Sequence, residues 1–459
     1  MLIKLPNMRA NLEGPGNRLY AEPKPSPDET SFQQDNVSEQ YYNSSYYLAH
    51  KNQVQPIPPV RAGAVTNLNL KDFAPQEVLN AVQAAGKITF HSVGDTGAAK
   101  VDRAQSVATA IAHEAAVADS MSADVESAGV NGPAFFFHLG DLIYNFGEAQ
   151  YYYDQFYEPF RDYDRPIFAI PGNHDGMVFG ATSATPQVPT LEAYLRNFCA
   201  AKAASSPDSG GLVRTVMTEP AVYFTLDAPF VSIIGLYSNV LDGPGVLSSQ
   251  NGHFPALKGD LQLKFLTSEL RRLKADRQAG NRAVLIAVHH PPASVDAKHG
   301  GSAGLEQDID SCCQAAGLWP DAVLSGHAHL YQRFTRAVGG KQIPYVVSGS
   351  GGFAATPPQF STPKAPYTIA DTTLEVDPIV EFGYLTITTN AKTLSIDFKT
   401  AVRGSPVTLR DSVTVDLTQG RITSGTKVSP NRAMKPKAAL GKPRPGPKSA
   451  ARVVKRKSK

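Results

Sequence analysis

Five short apolar runs in this chain stop, one after another, at side chains able to bind a metal. Lys87–Val93 runs into Gly94-Asp95-Thr96-Gly97, and Ala134–Leu139 into Gly140-Asp141-Leu142-Ile143-Tyr144. Pro166–Ile170 runs into Pro171-Gly172-Asn173-His174-Asp175, and Ala283–Val288 into His289-His290-Pro291-Pro292. Ala322–Leu324 leads to Gly326-His327-Ala328-His329. Each run has the length and apolarity of a buried strand. Helical spacing fills the gaps between the first three, so the pattern is that of parallel βαβ units in an α/β fold. Such sheets place ligands at the carboxyl ends of their strands. A lone aspartate there is most often a turn residue, and a lone tyrosine three residues on is most often core. Five successive strand ends of this kind point instead to one shared metal site.

The remaining chain divides around this pattern. Residues 1–85 read as a largely irregular N-terminal extension, polar and rich in Pro and Asn. A short helix is predicted after Pro75. The catalytic region spans 86–419. It holds a crossover helix at 101–121, with Tyr151, Phe156, Tyr157 and Phe160 as a core-packing stripe on the next helix. A looser insertion covers 178–220, with one helix near 190–203. A hairpin is predicted over 221–226 and 230–236, and helices over 260–275 and 304–316. Tyr345–Gly349 forms another strand before a glycine turn at Ser350-Gly351-Gly352, and three alternating strands near 379–388, 393–399 and 408–416 close the region. Residues 420–459 read as a disordered basic tail.

Charge sets that tail apart. Residues 427–459 carry 12 Lys and Arg and no acid, and removing them from a net charge of +3 leaves −9 for the rest. Counterion release gives such a tail affinity for polyanions such as nucleic acid, and a merely solvated terminus is the competing reading. The cysteines, Cys199, Cys312 and Cys313, cannot all pair within one chain. The N-terminus lacks the apolar centre of a signal peptide. No apolar run approaches the roughly 18 residues of a membrane span. Together these features predict a cytoplasmic protein; oligomeric state is left open.

In order and spacing the five blocks resemble the calcineurin-like metallophosphoesterases. The matching motifs are Asp95, Gly140-Asp141, Gly172-Asn173-His174-Asp175, His289 and Gly326-His327-Ala328-His329. The resemblance implies a four-layer αββα sandwich of two mixed β-sheets flanked by helices. Most branches carry Asp-x-His in the first block, where this chain has Asp95-Thr96-Gly97. The second block supplies Tyr144 in a Gly-Asp-x-x-Tyr pattern, which resembles the purple acid phosphatase branch. That resemblance implies two metal ions. Asp95, Asp141, Tyr144 and His329 hold the first, Fe(III), because a phenolate is a hard anionic donor. Asp141, Asn173, His289 and His327 hold the second, a divalent Fe, Zn or Mn, with Asp141 bridging. His290 is the alternative to His289 as ligand, and otherwise a neighbour of the ligand set.

The implied activity is hydrolysis of phosphate monoesters by a metal-activated hydroxide. His174 is the candidate acid for the leaving group, with Asp175 orienting its ring. His299, in Ala297-Lys298-His299-Gly300, is a candidate substrate contact or a plain loop histidine. Arg333 reads as a phosphate contact or, preferably, as the partner of an acid in the fold. The same metal set also serves phosphodiesterases acting on cyclic nucleotides or phospholipid headgroups. A nuclease of the DNA-repair branch fits less well, because that branch keeps the histidine that Gly97 replaces. A metal-free scaffold fits least, because no ligand is missing once Tyr144 is counted.

Overall fold

A computed structural model describes residues 57–97, 107–144, 146–176, 191–212, 214–238, 245–247, 260–353, 358 and 364–427. The expectations for the polar N-terminal stretch before residue 57 and for the basic tail after 427 lie outside these residues. Strand β1 (Asn67–Asn69) and helix α1 (Gln76–Ala85) come first. Pro75 precedes α1, and Gly86 ends it in the left-handed conformation with φ 62°. The βαβ stretch follows as β2 (Lys87–Val93), α2 (Val107–Ala128), β3 (Phe136–His138) and β4 (Ile167–Ala169). After α3 (Glu192–Phe198) come the antiparallel pair β5 (Phe224–Ala228) and β6 (Val231–Leu236). The second half runs α4 (Leu261–Gln278), β7 (Ala283–Val288), α5 (Ala303–Ala316) and β8 (Ala322–Ser325). Ser302 caps α5 by accepting from the Leu305 N–H, and Gly317 closes it at φ 66°.

Two hairpins follow, β9 (Tyr331–Val338) with β10 (Lys341–Ser348), and β11 (Tyr367–Ile369) with β12 (Thr372–Leu374). A meander closes the fold through β13 (Gly383–Asn390), β14 (Thr393–Thr400), β15 (Thr408–Asp416) and β16 (Arg421–Lys427). These strands make two mixed sheets. One has seven strands, ordered β16-β15-β14-β13-β2-β3-β4; the other has nine, ordered β1-β5-β6-β7-β8-β10-β9-β12-β11. Within them β2-β3-β4 and β6-β7-β8-β10 are parallel, as the repeated strand–helix pattern requires.

The period of two along each strand sorts side chains into two cores. Phe135 and Phe137 join Leu285, Ala287, Ile387, Leu394 and Phe398 between the sheets. Phe136, Val284, Ile286 and Val288 face the other way, packing with Met121, Leu270, Leu273 and Ile309 of the helices. This is the expected αββα layering. The sheets are also joined by charge. Arg333 on β9 donates through Nε and Nη2 to Asp411 on β15 at 2.5 and 3.1 Å, and the Tyr331 hydroxyl donates to Asp411 at 2.8 Å. A buried ion pair persists only where its remaining donors and acceptors are satisfied. Arg333 is therefore a bridge between sheets.

Three features depart from the expected boundaries. Part of the stretch read as an irregular extension supplies β1, which pairs in parallel with β5 at the edge of the nine-stranded sheet. At the other end, β16 pairs with β15 beyond residue 419. Both strands are polar, and an edge strand held mainly by backbone bonds leaves little apolar alternation to read. The aromatic stripe forms a 3-10 turn at Ala149–Tyr151 followed by a π segment at Tyr153–Tyr157, in place of a regular helix. Its aromatic rings are buried as expected. Among the described residues no helix is long and apolar enough to cross a membrane.

Asp119 of α2 is buried at 4% exposure with Oδ2 unpartnered. Burial raises its carboxyl to about 9, against the opposing pull of Arg161. The folded chain therefore keeps a proton that the unfolded chain loses above its ordinary value near 3.8. This contribution is fully present below that value and is lost as pH rises toward 9. Replacing Asp119→Asn removes the dependence. Its stability relative to the parent, measured by urea unfolding, is expected to rise between pH 5 and pH 8 by at most about 1.4 kcal/mol per pH unit.

Candidate metal centre

All five expected blocks meet at the carboxyl ends of the strands, where the two sheets come together. Asp95 follows β2, Asp141 and Tyr144 follow β3, and Asn173 follows β4, all from the seven-stranded sheet. His289 follows β7, and His327 and His329 follow β8, from the nine-stranded sheet. The Tyr144 hydroxyl lies 3.0 Å from Asp95 Oδ1, 3.0 Å from Asp141 Oδ2 and 3.4 Å from His329 Nε2. His329 Nε2 is 3.4 Å from Asp95 Oδ1. A second group adjoins the first. His289 Nε2 lies 3.2 Å from Asp141 Oδ2 and 3.2 Å from Asn173 Oδ1, and His327 Nδ1 is 3.0 Å from that same amide oxygen. Asp141 Oδ2 thus touches the phenol on one side and His289 on the other.

This donor set fits cations. One phenolic proton faces two carboxylate oxygens at equal distance, and lone pairs outnumber protons throughout. Candidate ligand atoms of Asp141, His289 and His327 lie within 4.8 Å of one another. His289 Nδ1 is 2.8 Å from the Leu139 carbonyl, so Nδ1 keeps its N–H, while Nε2 faces Asp141 and carries the proton that a bound metal would displace. Burial lowers the pKa of His289, but Asp141 and Asp95 outweigh it and hold the imidazole up at about 9. Burial holds His327 well below its ordinary value and hence neutral, as a ligand must be. Tyr144 is pushed well above 10 by burial and then by Asp141 and Asp95. Only a strong positive charge in their midst reverses that order.

Backbone strain gathers at the same place. Asp95, Asp141 and His327 adopt φ of 59°, 56° and 67°, among only seven non-glycine residues with positive φ in the described chain. Such conformations cost on the order of 1–3 kcal/mol each and persist where the surroundings enforce them. At Asp95, the backbone N–H donates to the Gly140 carbonyl at 2.9 Å and Oδ2 accepts from the His327 N–H at 2.8 Å.

At Asp141 the enforcing group is Asp175. Its buried carboxylate accepts four backbone N–H groups: Gly172 and Asp141 at 2.8 Å, Leu142 at 3.0 Å and Ile143 at 3.1 Å. Beyond the part the sequence suggests for it beside His174, the Asp175 carboxylate staples the Asp141 loop. His174 donates its backbone N–H to Asp141 Oδ1 at 2.8 Å, and its ring lies 4.3 Å from that of Tyr144.

Space as well as charge favours Tyr144. A Cβ built at Gly97 would stand 2.8 Å from Tyr144 Cδ2 and 2.6 Å from the Leu142 carbonyl. The ring passes through the space a side chain at 97 would need. Gln155, set in the π segment, clamps the Tyr144 backbone on both sides. Its Oε1 accepts from the Tyr144 N–H at 2.8 Å and its Nε2 donates to the Tyr144 carbonyl at 2.8 Å. Single-turn π segments recur at functional sites for this kind of re-aiming.

Of the two adjacent histidines, His289 faces the cluster. The His290 ring is 3.0 Å from the Ser238 hydroxyl through Nδ1 and packs 4.2 Å from the His327 ring. His299 lies beside the centre, its ring 4.3 Å from that of His327. Asp296 holds it there, 3.0 Å from His299 Nδ1, and also accepts the N–H groups of Lys298, His299 and Gly300. The sequence reading missed Gln155, Asp296 and His138. Only His138 left a sequence signal, a polar residue inside the β3 run. It accepts the Gly140 N–H at Nδ1 and lies 2.9 Å from Thr96 Oγ1 through Nε2.

The family model for calcineurin-like phosphoesterases matches residues 90–331. Among solved structures, the chain is similar to the purple acid phosphatase PPD1 of yellow lupin (Lupinus luteus) seeds. That match has 17% identity and a TM-score of 0.47, and covers 73% of this chain and 54% of the lupin protein. The chain therefore spans little more than half of that protein's length. It is also similar to GAP50, the anchor in the inner membrane complex of Plasmodium, at 13% identity and TM-score 0.45, covering 70% of this chain and 88% of that one. A dimetal phosphatase from Danio rerio aligns at 13% identity and TM-score 0.41, covering 70% and 98%. No curated protein matches the sequence.

Replacing Gly97→Ala is expected to lower stability by about 1–3 kcal/mol, the usual cost of overpacking. A thermal melt of the metal-free protein measures it. An unchanged melting temperature would mean that the Tyr144 ring is free to move.

Proposed function

The chain belongs to the calcineurin-like phosphoesterase family, and from that premise we propose that it hydrolyses phosphate monoesters at a dinuclear centre of the purple acid phosphatase type. Membership makes it a metal-dependent phosphoesterase; the branch, the ions and the ester are our reading. The observation that carries the reading is the Tyr144 hydroxyl, 3.0 Å from both Asp95 and Asp141, in space that Gly97 leaves open. In this reading Asp95, Asp141, Tyr144 and His329 hold Fe(III). Asp141, Asn173, His289 and His327 hold a divalent Fe, Zn or Mn. Two such ions, when bound, lower the pKa of a water and neutralise phosphoryl oxygens during in-line displacement.

This chain's own residues supply the rest. Asp175 fixes the Asp141 loop, so the carboxylate between the two groups is pre-oriented before substrate arrives. His174, half-buried beside Tyr144, donates the proton that the leaving alkoxide needs. His299, turned by Asp296 so that Nδ1 is engaged, presents Nε2 to the phosphate or the leaving group.

Two measurements test the reading. Protein loaded with iron and oxidised is expected to show a phenolate-to-iron charge-transfer band in the visible, and Tyr144→Phe to lose it. A band that survives in that variant would remove Tyr144 from the ligand set. His174→Ala is expected to lower kcat at least about 10²-fold on an alkyl phosphate, with a much smaller loss on an aryl phosphate whose leaving group needs no proton. Equal losses on both would assign His174 another task. Faster turnover of a diester than of the matching monoester would favour the diesterase reading.

A further inference from the structure

The glycine turn after β10 lies beside the centre, and neither the ligand set nor the proton donors use it. Its course is closely confined. A Cβ at Gly351 would collide with the Gly94 carbonyl and stand 2.6 Å from Thr96 Cγ2. At Gly352, with φ 149°, it would stand 2.6 Å from the Glu114 backbone on α2. Only a chain without side chains passes between the first strand-end loop and that helix, and the residue it delivers is Phe353. The Phe353 N–H donates to the Asp95 carbonyl at 3.1 Å. The Phe353 ring lies on that of Tyr144 with centroids 3.5 Å apart and planes 2° from parallel. It also meets the His329 ring edge-on at 5.1 Å. Tyr144 is 4% exposed and Phe353 8% exposed, so the Phe353 ring forms part of the cover between the phenol and solvent.

We infer that Phe353 is a positioning residue for Tyr144, holding the phenol oxygen against Asp95 and Asp141 and keeping water from it. The inference rests on the reading of Tyr144 as an iron ligand. A ring stacked this closely blocks the swing of the phenol about its Cα–Cβ bond that would carry its oxygen away from the two carboxylates. Its contact with His329 makes one apolar wall serve two donors of the same group. The backbone N–H that holds Asp95 is kept by alanine, leucine or tryptophan at 353, so loss of the ring can be tested separately from loss of the turn.

The test compares iron-loaded, oxidised parent with Tyr144→Phe, Phe353→Ala, Phe353→Leu and Phe353→Trp, reading the visible band and iron affinity by competition with a chelator. In Phe353→Ala and Phe353→Leu, water reaches the phenolate oxygen and stabilises its electrons. The band is then expected to move to shorter wavelength, and iron affinity to fall about 10-fold, the lower end for residues that orient a ligand. Phe353→Trp keeps a stacking face and is expected to keep the parent band. Leu preserves apolar bulk, so a shift shared by Ala and Leu but absent in Trp belongs to stacking. A band lost in Tyr144→Phe yet unchanged in both Phe353→Ala and Phe353→Leu overturns this inference and leaves the Tyr144 reading standing. No band in the parent, or one that persists in Tyr144→Phe, overturns both.

Discussion

The Asp175 carboxylate and its four backbone N–H groups are the interaction on which the centre depends. A buried carboxylate without partners is expensive. Here its desolvation is offset by N–H groups of the chain segment it must shape. Burial and the neighbouring Asp141 charge still push it up to about 7, so the grip is gained against repulsion from the residue it places. The result is an Asp141 held at φ 56°, with Oδ2 between the phenol and His289. Tyr144 and His289 contact that oxygen, and the remaining candidate ligands are joined to it through them.

The exchange between Gly97 and Tyr144 gives the first group its character. A histidine at 97 and a tyrosine at 144 would compete for one space, and the close approach of Gly97 to the Tyr144 ring makes the two choices exclusive. Tyr144 reaches both carboxylates, 3.0 Å from Asp95 and from Asp141. Burial and the two acids hold the phenol protonated.

Much of the fold and site was legible in the sequence because its signals are local. An apolar run, a polar stop and a glycine fit in about ten residues, and strand direction then places the stops at one edge. Asp95, Asp141, Tyr144, Asn173, His289, His327 and His329 were readable in this way, and the structure gathers them. What escaped depends on distant partners. Asp175 looked like a helper of His174, since nothing local shows a side chain folding back onto residues more than thirty positions earlier. Gln155 carries no pattern until Tyr144 is placed against it. Hairpin β9–β10 was half seen, because Tyr331–Val338 mixes Arg, Gln and Thr with apolar residues. Arg333 and Gln332 are buried there by virtue of Asp411 and the 294–295 loop. Polar edge strands β1 and β16 were invisible for the same reason.

Each group of donors draws on both sheets. The phenol group takes His329 from the nine-stranded sheet and Asp95, Asp141 and Tyr144 from the seven-stranded one. The imidazole group takes His289 and His327 from one and Asp141 and Asn173 from the other. A slip of one sheet over the other by a single ångström would therefore pull both groups apart at once. The Arg333–Asp411–Tyr331 bridge and the aromatic layer between the sheets resist that slip from inside the fold. The centre is, in effect, a gauge of sheet alignment: interior residues far from any ligand set the distance between the two halves.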